Sequence, residues 1–173
     1  MTSRDYKTDR DTADKWDPVV LRILYANAEI FGVCRPGQIR KATEDEDMHM
    51  AADWVAPGGA IASRIRHLDY YARFGDFTIR YSRPTGTKTE YEKIVSGCAR
   101  WYFLGFYKED DIVYWFIIDL DKLRRTQLLE DAPIQGQGDN IQFKYISISD
   151  LYKAGCIVRD YQIWERLRRE HTP

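Results

Sequence analysis

Hydrophobic and polar positions first follow a helical rhythm. From Val19 to Phe31, the residues Val20, Ile23, Leu24, Asn27, Ala28 and Phe31 share one mostly apolar stripe. Asp17-Pro18 supplies an N-cap followed by proline at the first helical position, and Gly32 supplies the stop. The polar stretch 1–14 ahead of it has little to bury and is expected to be a flexible segment before a single domain spanning 15–173. Cys34 to Lys41, which contains Pro36-Gly37, is expected to be a loop. The acidic segment from Ala42 to Asp53 is expected to form a short helix opening at Thr43, its acids lying where the helix dipole favours them.

The rhythm then changes to that of strands. Trp54-Val55 begins one, Pro57-Gly58-Gly59 turns it, and Ala60 to His67 forms a second. A Tyr-rich connector from Asp69 to Gly75 leads to a third strand, Asp76 to Ser82, and Arg83-Pro84-Thr85-Gly86 makes a turn. Thr87-x-x-Glu90 and Thr89-x-x-Glu92 both fit a capping box, which predicts a helix from near Lys88 to Ser96 stopped by Gly97. Trp101 to Tyr107 and Ile112 to Leu120 read as a strand pair around Lys108–Asp111, the second apolar enough to be buried on both faces. Leu120 to Glu130 is expected to be helical. A loop from Pro133 to Asn140, a strand from Ile141 to Ile146, a short helix capped by Ser149 and an Arg-rich tail (Arg166, Arg168, Arg169) complete the chain. Strands and helices so interleaved predict an α/β fold with a mixed central sheet flanked by helices.

Composition narrows the field of functions. The chain has 173 residues, suiting one core that folds without disulfides or structural metal. A formal net charge of -1 excludes a generally basic coat for nucleic acid, so any phosphate contact must come from a local patch. Cys34, Cys98 and Cys156 are odd in number and widely spaced, which fits thiols in a reducing compartment rather than a zinc site. The longest apolar run, Ile112 to Ile118, falls far short of the ~20 residues that cross a bilayer. With no secretory pattern at the start, a cytoplasmic protein with no membrane partner is expected. G-x-S-x-G, P-loop and G-x-G-x-x-G motifs are missing, so acyl transfer, nucleotide hydrolysis and nicotinamide chemistry lack support.

Candidate chemistry gathers in the acidic helix and the strands after it. Metal-dependent phosphodiester cleavage needs carboxylates converging on Mg²⁺ and cations at the phosphate. Asp53, at the mouth of a predicted strand, suits the first role. Glu44 and Asp47 lie three apart on one helical face. The alternative for Glu44, Asp45 and Glu46 is a solvated acidic helix. Arg64 and Arg66 share a strand face with Ala62, which is no core pattern, and Arg80 with Thr78 and Ser82 extends it. These arginines contact phosphate or form a salt-bridge lattice. Glu90 and Lys93 lie three apart on the short helix, as a simple ion pair or as a carboxylate and an ammonium supplied to the site.

The order helix, three strands, helix, strand, with acids before and at the first strand, resembles the core of the PD-(D/E)XK nuclease superfamily. That superfamily includes restriction endonucleases and archaeal-type Holliday junction resolvases. The similarity covers about residues 42 to 120 and is nearest in type to small phage-encoded members. It rests on Asp47, the pair Ala52-Asp53, the strand IASRIRH and the stretch DYYARFGDFTIRY. The resemblance implies a restriction-endonuclease-like core, a nucleic-acid partner and Mg²⁺ held by Asp53 with Asp47 or Glu44. Arg64 and Arg66 would clamp the phosphate, and Arg80 and Lys93 would add to nucleic-acid binding. The family triplet of an acid and a lysine two apart should fall within IASRIRH, and here no acid is present and Arg replaces Lys. Either Glu90 replaces the missing acid in the catalytic set, or the protein is a relative that binds without cleaving.

Two other readings stand beside this one. The scaffold could serve as a catalytically inactive DNA-binding or host-protein-binding anti-defence factor of a phage, acting in the host cytosol. It could also be a structural or assembly subunit, a homodimer included, with its many aromatics at the interface.

Overall fold

The computed structural model describes residues 6–50, 52–82, 88–137 and 141–162. The first helix, α1 (Tyr6–Ala26), begins well before Asp17 and carries Pro18 inside it. A 3₁₀ turn (Ala28–Phe31) follows, closed by Gly32 in the left-handed conformation. The earlier start has a packing cause. Trp16 lies one helical turn before Val20, and Trp16, Val20 and Leu24 are all buried, so the apolar stripe begins ahead of the proline.

A short strand β1 (Arg40–Lys41), which the sequence reading took as loop, precedes α2 (Glu44–Met50). Thr43 and Glu46 cap α2 reciprocally: Glu46 N–H donates to Thr43 Oγ1 at 3.3 Å and Thr43 N–H to Glu46 Oε2 at 2.8 Å. The hairpin β2 (Trp54–Ala56) and β3 (Gly59–His67) lies as the sequence predicts. The Tyr-rich connector is a helix, α3 (Leu68–Phe74), ended by Gly75 in the left-handed conformation. Strand β4 (Asp76–Ser82) and helix α4 (Glu90–Val95) come next, and of the two capping boxes it is Thr89 with Glu92 that closes.

The strand pair β5 (Trp101–Lys108) and β6 (Asp111–Asp119) follows. The expected single helix after it is split into α5 (Leu120–Arg124) and α6 (Leu128–Asp131). Residues expected as loop form β7 (Ile134–Gln137), which pairs with β8 (Ile141–Ser147). Ser147, rather than Ser149, caps α7 (Ile148–Lys153), and an unforeseen strand β9 (Ile157–Gln162) follows. The turn at Arg83–Gly86 and the Arg-rich tail lie outside the described residues.

The fold is α/β with a mixed central sheet. Six strands run in the order β1-β2-β3-β5-β6-β9, with β3 and β5 parallel and the other neighbours antiparallel. A second sheet runs β4-β8-β7. Alternation along the strands divides the core. Trp54, Ile61, Phe103 and Trp115 pack with Trp16, Val20 and Leu24 of α1, whereas Ala62, Tyr102, Leu104 and Phe116 pack with Phe77, Ile79, Ile94 and Ile146. The central sheet is therefore covered on both faces, by α1 on one and by α4 with the second sheet on the other. Among the described residues no helix is long and apolar enough to cross a membrane.

Candidate functional site

Parallel pairing of β3 with β5 requires a crossover, and this crossover contains α3, β4 and α4. Its passage sets β4 and α4 beside the face of β3 that bears Ala62 and Arg64. Strand β4 is the edge of its sheet, so it carries main-chain groups that β8 does not take up. Two of them meet charged side chains. Thr78 C=O accepts from Arg64 Nη1 at 2.7 Å, and Arg80 N–H donates to Glu90 Oε2 at 3.0 Å.

Glu90 is thereby the hub of a buried cluster. Its Oε2 also accepts from Arg64 Nη2 at 2.5 Å, and its Oε1 from the Tyr102 hydroxyl at 2.6 Å. The Arg64 and Glu90 side chains retain 21% and 16% of their exposure. Burial works to raise the Glu90 pKa, but the Arg64 charge, the Arg80 amide and the Tyr102 hydroxyl outweigh it and hold the carboxyl below its usual range. Burial and the Glu90 charge push the Tyr102 phenol well up, against the pull of Arg64, so it remains a donor.

Asp53 reaches the same region from the start of β2. Its main chain is fixed on both sides, with N–H donating to Ile61 C=O at 3.0 Å and C=O accepting from Ala42 N–H at 2.9 Å. Its Oδ2 accepts from Ser63 N–H at 2.5 Å. Burial pushes the Asp53 carboxyl up to about 6; the Ser63 amide opposes that rise, and the Asp47 charge adds to it.

A cleft of about 160 Å³ joins these groups, lined by Asp47, Asp53, Ala62, Ser63, Arg64, Arg80, Lys88, Glu90 and Lys93. Lys93 Nζ donates to the Asp47 carbonyl at 2.9 Å and so ties α4 to α2. The lining carries Arg64, Arg80, Lys88 and Lys93 together with Asp47, Asp53 and Glu90. That balance suits an anion, with or without a cation beside it.

Of the residues singled out in sequence, Asp47, Asp53, Arg64, Arg80, Glu90 and Lys93 line this one cleft. Glu44 is exposed on α2 and does not line it. Arg66 does not line it either: its guanidinium lies 3.9 Å from the centre of the Tyr70 ring. Ser63, which meets Asp53 through its main-chain amide, carried no distinct signal. Tyr102 was hidden inside an aromatic strand, where only its buried hydroxyl, which needs a partner, hints at a polar neighbour.

Asp53 and Asp47 are the carboxylates of this lining that could contribute to Mg²⁺ of the kind held by one or two carboxylates and completed by water and phosphate. The lining does not make a protein cage. Both Glu90 oxygens are engaged by Arg64, Arg80 and Tyr102, and among the described residues no three acidic, His or Cys groups gather to hold an ion. No protein-family model, curated protein or solved structure matches the chain.

Proposed function

We propose that this protein is nuclease-like and handles nucleic-acid phosphodiesters in the cleft. One observation carries the reading: carboxylates at Asp47 and Asp53 and cations at Arg80, Lys88 and Lys93, drawn from distant parts of the chain, line the same small cleft. The PD-(D/E)XK resemblance supports it, since Asp47 and Asp53 are the acids on which that resemblance rests. In this reading Arg80, Lys88 and Lys93 hold the phosphate. Arg64 serves chiefly to neutralise Glu90, and together they fix the cleft wall. Asp53 must lose its proton for Asp53 and Asp47 to hold Mg²⁺. When bound, the ion supplies charge neutralisation at the phosphate and an acidified water.

The hydrolytic form predicts cleavage of linear, branched or single-stranded DNA or RNA with Mg²⁺ or Mn²⁺. Gel assays should show that cleavage lost in Asp53→Ala. Intact substrate with the unaltered protein across the whole panel contradicts it.

A second reading, binding without turnover, is favoured by the engagement of Glu90. The acid that would complete the catalytic set has both oxygens occupied. This form predicts nucleic-acid binding that survives removal of divalent cations, with no product in the same tubes.

A further inference from the structure

Beside the Arg64 strand face, β3 and α3 present a ladder of flat groups in which Tyr70 packs against the core and Phe74 stands outside both core clusters. Arg66 sits two residues after Arg64 on the same face of β3, roughly 7 Å further along the strand. Its guanidinium lies 3.9 Å from the centre of the Tyr70 ring, and Tyr70 in turn lies 4.9 Å from Phe74 at an interplanar angle of 48°. Tyr70 and Phe74 are four apart on α3 and so share one face of it.

The opposite role on α3 belongs to Tyr71. Its ring meets Phe106, Tyr114 and Phe116 at 5.0, 5.0 and 5.9 Å, which anchors the helix to the core. Phe74 is not needed for that anchoring. It is 59% exposed, the most exposed large hydrophobic side chain among the described residues. Arg73 beside it is exposed as well.

The ladder is also coupled to the cleft wall. The Tyr70 hydroxyl lies 2.6 Å from Thr78 Oγ1, and the carbonyl of the same Thr78 holds Arg64. Asp76 is occupied by Thr78 Oγ1 at 2.9 Å and the Tyr70 hydroxyl at 3.3 Å, and Asp69 on α3 lies 3.3 Å from His67 Nδ1. An exposed aromatic ring tilted against a second ring, with Arg66 and Arg73 beside the pair and a cation-lined cleft nearby, matches the pairing of stacking platform and cationic groove that holds unpaired nucleic acid.

We propose that Phe74 is a stacking position for an unpaired nucleobase, so that the ligand of the cleft is single-stranded or locally unpaired nucleic acid. This rests on the phosphodiester reading and names its substrate class. A duplex keeps its bases stacked on each other and offers the ring no face except at an end. A peptide without acidic side chains would gain from Phe74 but not from the adjoining cations.

Fluorescence anisotropy with a labelled single-stranded oligonucleotide, the same strand lacking its bases, and the matching duplex tests the idea. Cleavage is blocked by omitting divalent cations. The unaltered protein should bind the base-bearing strand tightest. Phe74→Ala should weaken that binding about fivefold to a hundredfold and leave the base-free strand unchanged. Phe74→Trp should restore it. Because Phe74 is exposed and outside both core clusters, the alanine variant is expected to fold, which its far-UV circular dichroism checks. Binding that is indifferent to Phe74→Ala, or an equal loss on the base-free strand, overturns the stacking position and leaves the cleft reading intact. No binding of any of the three by the unaltered protein overturns both.

Discussion

Asp53 receives a short hydrogen bond from the Ser63 amide, yet burial raises its carboxyl to about 6. An unfolded aspartate titrates near 3.9. The folded chain therefore holds this proton more tightly than the unfolded chain. The resulting stabilisation is complete below about pH 3.9 and is lost as pH rises through about 6. Glu90 and Glu46, both lowered, act in the opposite direction: they stabilise above their unfolded values near 4.3 and lose that effect as pH falls. Asp53→Asn isolates the first effect. Between pH 4 and pH 7, urea unfolding should show the variant gaining stability relative to the unaltered protein; a difference that stays constant contradicts the raised pKa. At this scale the sequence was legible where a charge stood among small or apolar neighbours, as at Asp53 and Arg64. It was not legible at Lys144, an unremarked charge in a strand that proves 5% exposed. Its ammonium donates to the Leu129 and Glu130 carbonyls at 2.7 and 2.9 Å and lies 5.4 and 5.1 Å from the Tyr81 and Tyr91 ring centres. Those partners come from α6, β4 and α4, and no local pattern brings them together.

The elements that position the site were read from local rules, and those rules held where a cap or turn was decisive. Thr43 with Glu46 and Thr89 with Glu92 start α2 and α4, which deliver Asp47, Glu90 and Lys93. The turn into β3 depends on Gly58, whose N–H donates to Phe31 C=O at 2.8 Å. A side-chain carbon there would lie 2.7 Å from the Phe31 oxygen, a backbone atom that cannot swing aside. Gly58→Ala should therefore destabilise the protein by about 1–3 kcal/mol, measured by chemical denaturation. An unchanged midpoint contradicts this docking of the turn against the end of the 3₁₀ turn. Local rules failed where a distant partner decides the outcome. In the Tyr-rich connector, α3 forms because Tyr71 finds Phe106, Tyr114 and Phe116, all far along the chain. Strand β9 exists by pairing with β6, and β7 by pairing with β8.

Across the whole molecule, the cleft lies at the seam between the two sheets. Arg64 reaches from β3 in the central sheet to the Thr78 carbonyl of β4 in the other, while Glu90 joins the Arg80 amide of β4 to the Tyr102 hydroxyl of β5. The buried ion pair thus fastens the seam that carries the site. An α/β architecture could be inferred from interleaved periodicities, but the departure of β4 into a second sheet could not, because its alternation reads the same in either sheet. The most direct test of the central claim is the salt dependence of nucleic-acid binding, followed by anisotropy with one single-stranded oligonucleotide. Affinity should fall steeply with added salt, and Lys88→Ala with Lys93→Ala should reduce the log–log slope by about 1 to 2, as two lost phosphate contacts require. Binding whose slope is the same with and without those two lysines would contradict the account.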